Sequence, residues 1–227
     1  MSLKKTKIDW CEYSWNIVSG CKNSCWYCYA RKIRNRFWKG VPFETLINYD
    51  ERLDDPLKLK KPSTIFVGSM TDLFAKWQPR YNVKHILQTV RKCPQHTFIF
   101  LTKNPIGYKG WKFPQNCWLG VTITSSAEWH KVAHLVAYTG KENLTFVSVE
   151  PILGEFNTSY LYLVDWIIIG ALTGHSSQKT PKIRQKWLNE VIRETRRFNI
   201  PLFMKGSLAG IYGKKLIKEY PTKRRFS

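Results

Sequence analysis

Negative charge is what this chain has least of. Sixteen Asp and Glu stand against 37 Lys and Arg in 227 residues, a formal charge of +21. Such an excess repels itself, and a polyanionic partner relieves it. Nucleic acid is the first partner to consider and an anionic membrane surface the second; a lysine-rich solvated surface is the plain alternative. Long apolar runs are also missing. The runs present span about 4–8 residues, short of the ~18 that cross a bilayer. The basic start, Met1 to Lys7, leads into Ile8-Asp9-Trp10 and not into an apolar stretch, so no signal peptide is expected and a cytoplasmic location is the default. There is no solenoid-period repeat and no low-complexity segment.

Cysteine is present six times. Without an export signal, a metal site is a better expectation than disulfides. Three of the six stand in one run, Gly20-Cys21-Lys22-Asn23-Ser24-Cys25-Trp26-Tyr27-Cys28-Tyr29-Ala30, with spacing C-x3-C-x2-C. Soft thiolates on one tight loop suit an iron–sulfur cluster. Three ligands on a [4Fe–4S] cube leave one iron open to a substrate or cofactor. A structural zinc site closes with four ligands, often as two Cys pairs, and no second pair or nearby His follows. A zinc-binding or redox-inert Cys cluster remains the alternative on spacing alone. Cys93 and Cys117 fit as small buried hydrophobes. Cys11 is near enough in sequence to be considered as a fourth ligand.

Apolar segments alternate with helical patterns. Strands are expected at Ser14–Ser19, Ser63–Gly68, Thr97–Thr102, Cys117–Thr122, Leu144–Val149, Val164–Gly170 and Ile200–Met204. A basic helix is expected over Tyr29–Trp38, and an amphipathic one over Tyr81–Cys93 with Val83, Ile86, Leu87 and Val90 on one face. Ser125-x-x-Glu128 has the form of a capping box for a helix through Tyr138, with Trp129, Val132, Leu135 and Val136 inward. Thr180-Pro181 has the form of a helix start leading to Arg197. Strands apolar on both faces and separated by helices imply parallel βαβ units. Six or seven units are too few for a full eightfold barrel, so the expected fold is α/β, a partial parallel (β/α)6-type barrel, with a doubly wound open sheet as runner-up. One domain is expected over 1–227, with a basic C-terminal tail from about 207 that includes Lys214, Lys215, Lys218, Lys223, Arg224 and Arg225.

In such folds chemistry sits at the C-terminal ends of strands. The residues there are the three cysteines, then Gly68-Ser69-Met70-Thr71-Asp72, Thr102-Lys103, Thr122, Ser148 with Glu150, the loop holding His175, and Lys205. Ordinary loop caps are the alternative for Ser69 and Asp72, and an ion pair with Lys103 or Lys205 is the alternative for Glu150. His175 fits a solvated loop as well as it fits a catalytic role. Directly after the cysteines, Arg31, Lys32, Arg34, Arg36 and Lys39 are interleaved with Phe37 and Trp38, a pattern that suits phosphates and unpaired bases. The competing expectation is a solvated outer face with Phe37 and Trp38 packed inward.

The three-Cys loop, with an aromatic residue (Tyr27) before its last Cys, resembles the signature of the radical S-adenosylmethionine superfamily. Asp9-Trp10, Ser14-Trp15-Asn16, Val67-Gly68-Ser69-Met70-Thr71-Asp72-Leu73, Leu101-Thr102-Lys103, Val149-Glu150-Pro151-Ile152-Leu153-Gly154, Val164-Asp165-Trp166 and Phe203-Met204-Lys205 occur in the same order as in a phage-borne group of small proteins of that superfamily. Ser69-Met70-Thr71-Asp72 and Thr102-Lys103-Asn104 also have a distant likeness to the spore photoproduct lyase family, whose hydrogen-donating Cys is replaced here by Ser69. The resemblance implies a partial barrel and a [4Fe–4S] cluster on Cys21, Cys25 and Cys28 that cleaves S-adenosylmethionine to a 5′-deoxyadenosyl radical. It implies cofactor contacts from Tyr27, Gly68, Ser69, Thr71, Asp72, Thr102, Lys103, Thr122, Ser148, Glu150 and Lys205. Ser69, Glu150 and His175 are the candidates for catalysis, and Arg31, Lys32, Arg34, Arg36, Trp38 and Lys39 for nucleic acid. Flavodoxin or ferredoxin is the expected kind of electron donor. The substrate expected is a nucleic-acid base. Radical modification of a peptide, or a non-enzymatic iron–sulfur nucleic-acid-binding protein, is the alternative.

Overall fold

Sequence stretches that are apolar at nearly every position can be satisfied only where a sheet is covered on both faces. Such strands carry this chain, in a mostly parallel eight-stranded sheet of an α/β fold. The computed structural model describes residues 3–38, 40–140, 142–155, 158–173 and 182–222. His175, Lys39, Thr180, Pro181 and the basic residues Lys223, Arg224 and Arg225 therefore lie outside the described residues. The chain falls into two units: Met1–Thr102 with Lys112–Trp118, and Lys103–Trp111 with Leu119–Ser227.

The first unit holds strands β1 (Lys4–Lys5), β2 (Tyr13–Trp15), β3 (Val18–Ser19), β4 (Ile47–Asn48), β5 (Thr64–Val67) and β6 (Thr97–Thr102), with helices α1 (Tyr29–Phe37) and α2 (Arg80–Arg91). Strands β2, β5 and β6 pair in parallel, Trp15 opposite Val67 and Val67 opposite Phe100. β1 caps the edge, antiparallel to β2. The single strand expected over Ser14–Ser19 is two: β2 stays in the main sheet, and β3 leaves it to pair antiparallel with β4. Asn16 breaks the run because its side-chain amide bonds the loop after β5. Helix α2 buries Val83, Ile86, Leu87 and Val90, as its 3.6-residue period requires. Helix α1 is different: only Ala30 and Arg34 are buried along it.

The second unit holds β7 (Cys117–Ile123, whose first two residues belong to the first unit), β8 (Leu144–Val149), β9 (Trp166–Ile169) and β10 (Leu202–Met204), with α3 (His130–Tyr138), α4 (Gln185–Arg197) and the short α5 (Ala209–Tyr212). β8, β9 and β10 pair in parallel, and every residue of each is buried. Six of the seven expected strand segments thus form single strands, Ser14–Ser19 being the exception. The helix caps differ from expectation. Ser125 makes no side-chain cap; the Glu128 carboxylate accepts instead from the Thr124 N–H and hydroxyl, both at 2.7 Å, because Ser126–Glu128 forms a 3-10 turn ahead of α3. Val136 is exposed, not inward. α4 begins at Gln185, beyond the expected start.

The expected basic tail packs back into the second unit as far as residue 222. Met204 N–H donates to the Ile217 carbonyl, and Tyr220 lies against Trp166 and Phe203. Glu219 locks the return: Arg196 donates to both carboxylate oxygens at 2.8 Å, Leu202 N–H donates at 3.1 Å, and Trp166 Nε1 donates to the Glu219 carbonyl at 2.9 Å. The Arg196 guanidinium holds the Glu219 carboxyl below the usual carboxylate range. A depressed folded pKa stabilises above the unfolded value, about 4.3, and that stabilisation is lost as pH falls through the folded value. Glu219→Gln is expected to cost about 1 kcal/mol at pH 7, a figure kept small because both partners are solvent-screened. Thermal melts of parent and variant should converge as pH falls below the folded value; a gap that persists at the lowest pH where the chain still folds would refute the assignment.

Candidate iron–sulfur site

The cysteine loop follows β3, after the chain has left the main sheet at the end of β2. Gly20 adopts φ +115°, and a Cβ there would lie 2.2 Å from the Thr45 carbonyl oxygen, so only glycine fits. Two backbone links and one side-chain link hold this entry: Gly20 N–H to Met70 O at 3.1 Å, Cys21 N–H to Phe43 O at 2.9 Å, and the Thr71 hydroxyl to Gly20 O at 2.6 Å. The loop closes at Cys28, the N-cap of α1, whose Sγ accepts from the Arg31 N–H at 3.4 Å. The thiol sequence is thus set between the short antiparallel strand β3 and a helix N-terminus.

The loop after β5 faces the same entry. Gly68 (φ +78°) turns the chain, and a Cβ on it would press on Leu73. Asn16 Oδ1 accepts from Met70 N–H at 3.1 Å and from the Ser69 hydroxyl at 3.1 Å. The Tyr29 hydroxyl donates to the Ser69 carbonyl at 2.6 Å. Asp72 is buried and collects donors from Thr102 Oγ1 at 2.6 Å, Asn23 Nδ2 at 2.9 Å and Phe74 N–H at 3.3 Å. Asn23, inside the cysteine loop, also accepts from Trp77 Nε1 at 3.4 Å. Ser69, Thr71, Asp72 and Thr102 are therefore brought together with the cysteine loop as one hydrogen-bonded set. Tyr27 adjoins them in sequence and packs edge-on against Trp26.

All three thiols are free. Burial, followed by the charges of Asp72, Cys28 and Cys25, pushes the Cys21 thiol up to about 12. A cationic metal group lets a buried thiol give up its proton, and three thiolates are a soft donor set. The donor chemistry fits an iron–sulfur cluster. Among the described residues, no three His, Cys, Asp or Glu side chains are gathered around a common point as metal ligands. Cys93 and Cys117 are buried, as expected, and burial raises both thiols further from ionisation.

Asn16, Asn23, Tyr29 and Trp77 are missing from the site residues expected from sequence. Asn16 was within reach of the strand-end rule, but only if the first strand is stopped at Trp15.

Other site expectations fall in the second unit. Lys205, just past β10, forms an ion pair with Glu150, just past β8. Gly170 leaves room for it: a Cβ there would stand 3.0 Å from Lys205 Cδ. The ion-pair alternative for Glu150 is thus the one observed. Thr122 and Ser148 are buried, and the Ser148 hydroxyl has no hydrogen-bond partner among the described residues. Lys103 is half-buried.

The basic helix divides its residues. Arg34 is 0% exposed and donates to Ser19 Oγ at 3.0 Å, so it is no surface phosphate contact. Arg31 is engaged by Glu44 and lies over the Phe43 ring. Lys32 and Arg36 are exposed. Phe37 and Trp38 are 66% and 41% exposed, which overturns the expectation that they pack inward.

The chain belongs, over residues 5–224, to the family described as DUF5131, protein of unknown function. No curated protein matches its sequence. Its fold is similar to solved structures of spore photoproduct lyase. A mutant with bound AdoMet and dinucleoside spore photoproduct matches with TM-score 0.57 at 11% identity, over 89% of this chain and 78% of that one. The lyase complexed with dinucleoside spore photoproduct matches with TM-score 0.55 at 11% identity over the same shares. At that identity the likeness establishes the fold, a partial-barrel type of α/β architecture. No helix among the described residues is long and apolar enough to cross a membrane.

Proposed function

We propose that this chain is a radical S-adenosylmethionine enzyme acting on a nucleic-acid base. The observation that most supports it is the hydrogen-bonded tie between the three-Cys loop and the polar loop after β5. The C-x3-C-x2-C loop follows β3, a few residues past the parallel strand β2, and is tied through Gly20 to the polar loop after β5. Cys21, Cys25 and Cys28 would hold a [4Fe–4S] cluster through their thiolates, with S-adenosylmethionine as the second cofactor. The chemistry such a pair supplies when bound is one-electron cleavage to methionine and a 5′-deoxyadenosyl radical, which takes hydrogen from the substrate.

The chain's own part is to bind and orient. Gly20 and Thr71 fix the loop; Gly68 and Ser69 offer close backbone and hydroxyl contacts; Asp72 and Thr102 brace the set. Tyr27, Lys103, Thr122 and Ser148 supply further contacts to the cofactor. The Glu150–Lys205 pair presents a carboxylate for ribose and a cation for the cofactor carboxylate. Flavodoxin or ferredoxin donates the electron, and the reaction is cytoplasmic. The net charge of +21 and the dinucleoside bound in similar structures support a nucleic-acid substrate.

The test is anaerobic reconstitution with iron and sulfide, reduction, and quantification of 5′-deoxyadenosine from S-adenosylmethionine, with and without DNA and RNA. Release that rises with one nucleic acid is expected. No release from a fully loaded cluster would sink the radical reading.

A further inference from the structure

Beside the cysteine loop, wholly within the first unit, lies a cleft of about 860 Å³, within the range of small-molecule binding sites. One wall is the edge strand with Lys4 and Lys5, continued by Lys7. The side chains of these three lysines are exposed and make no ion pair among the described residues. Aromatic and apolar side chains of α1 and its flank, Tyr29, Ile33 and Trp38, also line it and are 51%, 40% and 41% exposed. Tyr49 lines it too, with the Arg52 guanidinium 3.6 Å from its ring centroid. Asn16 and Ser69, from the cysteine-loop network, also line the cleft.

The charge in the cleft is one-sided. Its two acids are answered locally, Asp55 by Lys58 at 2.7 Å and Glu51 by Arg52 at 3.5 Å. The three lysines of the edge are left over. Lysine on an edge strand also discourages strand pairing, but that task needs no facing aromatics. Cations for phosphates with exposed rings for bases are the two parts of a single-strand platform. A flat anionic membrane attracts lysines equally yet has nothing to place in a concave aromatic cleft.

We infer that this cleft is a binding groove for single-stranded nucleic acid, with Lys4, Lys5 and Lys7 on the phosphates and Trp38 and Tyr49 stacking on unpaired bases. It deepens the proposed function, resting on it only for what happens after binding. The groove leads the strand from the lysine edge to Asn16 and Ser69, beside the cysteines. A duplex hides its bases, so it gains the phosphate contacts and forfeits the stacking.

Fluorescence anisotropy of the full chain, with and without reconstituted cluster, tests this with a labelled single strand, the matching duplex, heparin and anionic phosphatidylserine vesicles. The single strand is expected to bind at least about fivefold tighter than the duplex. Lys4→Gln, Lys5→Gln and Lys7→Gln combined should weaken it at least about tenfold and flatten the salt slope by roughly 2. Trp38→Phe should keep the single-strand preference, and Trp38→Leu with Tyr49→Leu should remove it. Unchanged affinity in the lysine variant, heparin binding as tightly as the single strand, or vesicles binding in place of oligonucleotide would each overturn the groove. 5′-Deoxyadenosine released without nucleic acid should be the same in the lysine variant and the parent, so a failed groove and a failed radical reading give different results.

Discussion

Cys21→Ala, Cys25→Ala and Cys28→Ala are each expected to abolish iron–sulfur loading and 5′-deoxyadenosine formation together. Cys11→Ala should leave both intact. A cluster held by three thiolates loses a third of its protein ligands with each change, and nothing nearby replaces one: among the described residues no His, Asp or Glu completes such a set. Asp72 is the nearest acid to the loop by its hydrogen bonding, and it is already committed to Thr102 and Asn23. The Cys11 thiol is turned to the Ile8 carbonyl at 4.0 Å. The measurements are iron and sulfide per chain, the visible absorption of the cluster, and the cleavage product. Loading retained in the three single variants, or lost only in Cys11→Ala, would overturn the ligand assignment. Loading lost while the melting temperature of the metal-free chain is unchanged would rule out misfolding as the cause.

Gly120→Ala is expected to destabilise by about 3 kcal/mol or more, lowering the melting temperature by roughly 10 °C. A Cβ at Gly120 would lie 2.3–2.5 Å from three atoms of the Phe146 ring. Neither side can give way. Phe146 is fully buried and tilted against Trp166 at 5.6 Å. The Gly120 carbonyl accepts from the buried Tyr108 hydroxyl at 2.8 Å, which holds the strand backbone in place. Phe146→Leu in the Gly120→Ala background should recover part of the loss, because the smaller side chain vacates the contested space. A melt within 2 °C of the parent for Gly120→Ala alone would show that the strand yields more than close packing permits.

How much could be read without coordinates follows from what each feature depends on. The strands of the second unit were legible because each is a short apolar run, β-branched and aromatic, and such runs need burial wherever they are placed. α2 was legible from its period. The run Ser14–Ser19 was misread as one strand because the bend at Asn16 comes from Ser69 and Met70, more than fifty residues away. The capping of α3 was misread by one residue, since Ser125 and Thr124 are equally good partners for Glu128 on paper and only the 3-10 turn chooses between them. Lysine and arginine in α1 looked alike as phosphate ligands. The fold buries Arg34 against Ser19, pairs Arg31 with Glu44 and leaves Lys32 and Arg36 outside.

By itself, the sequence determined the parallel α/β class, the three neighbouring thiols and the excess of positive charge, since these depend on local pattern and composition. Only the tertiary structure decided which polar residues meet the cysteine loop and which cations remain available. Hydrogen bonds such as Asn16–Ser69 and Thr102–Asp72 join distant segments, and pairing with Glu44 or Asp55 is a matter of place. The cleft between the lysine edge and the face of α1 has no sequence signature, because its two walls are more than twenty residues apart and become neighbours only when β1 pairs with β2.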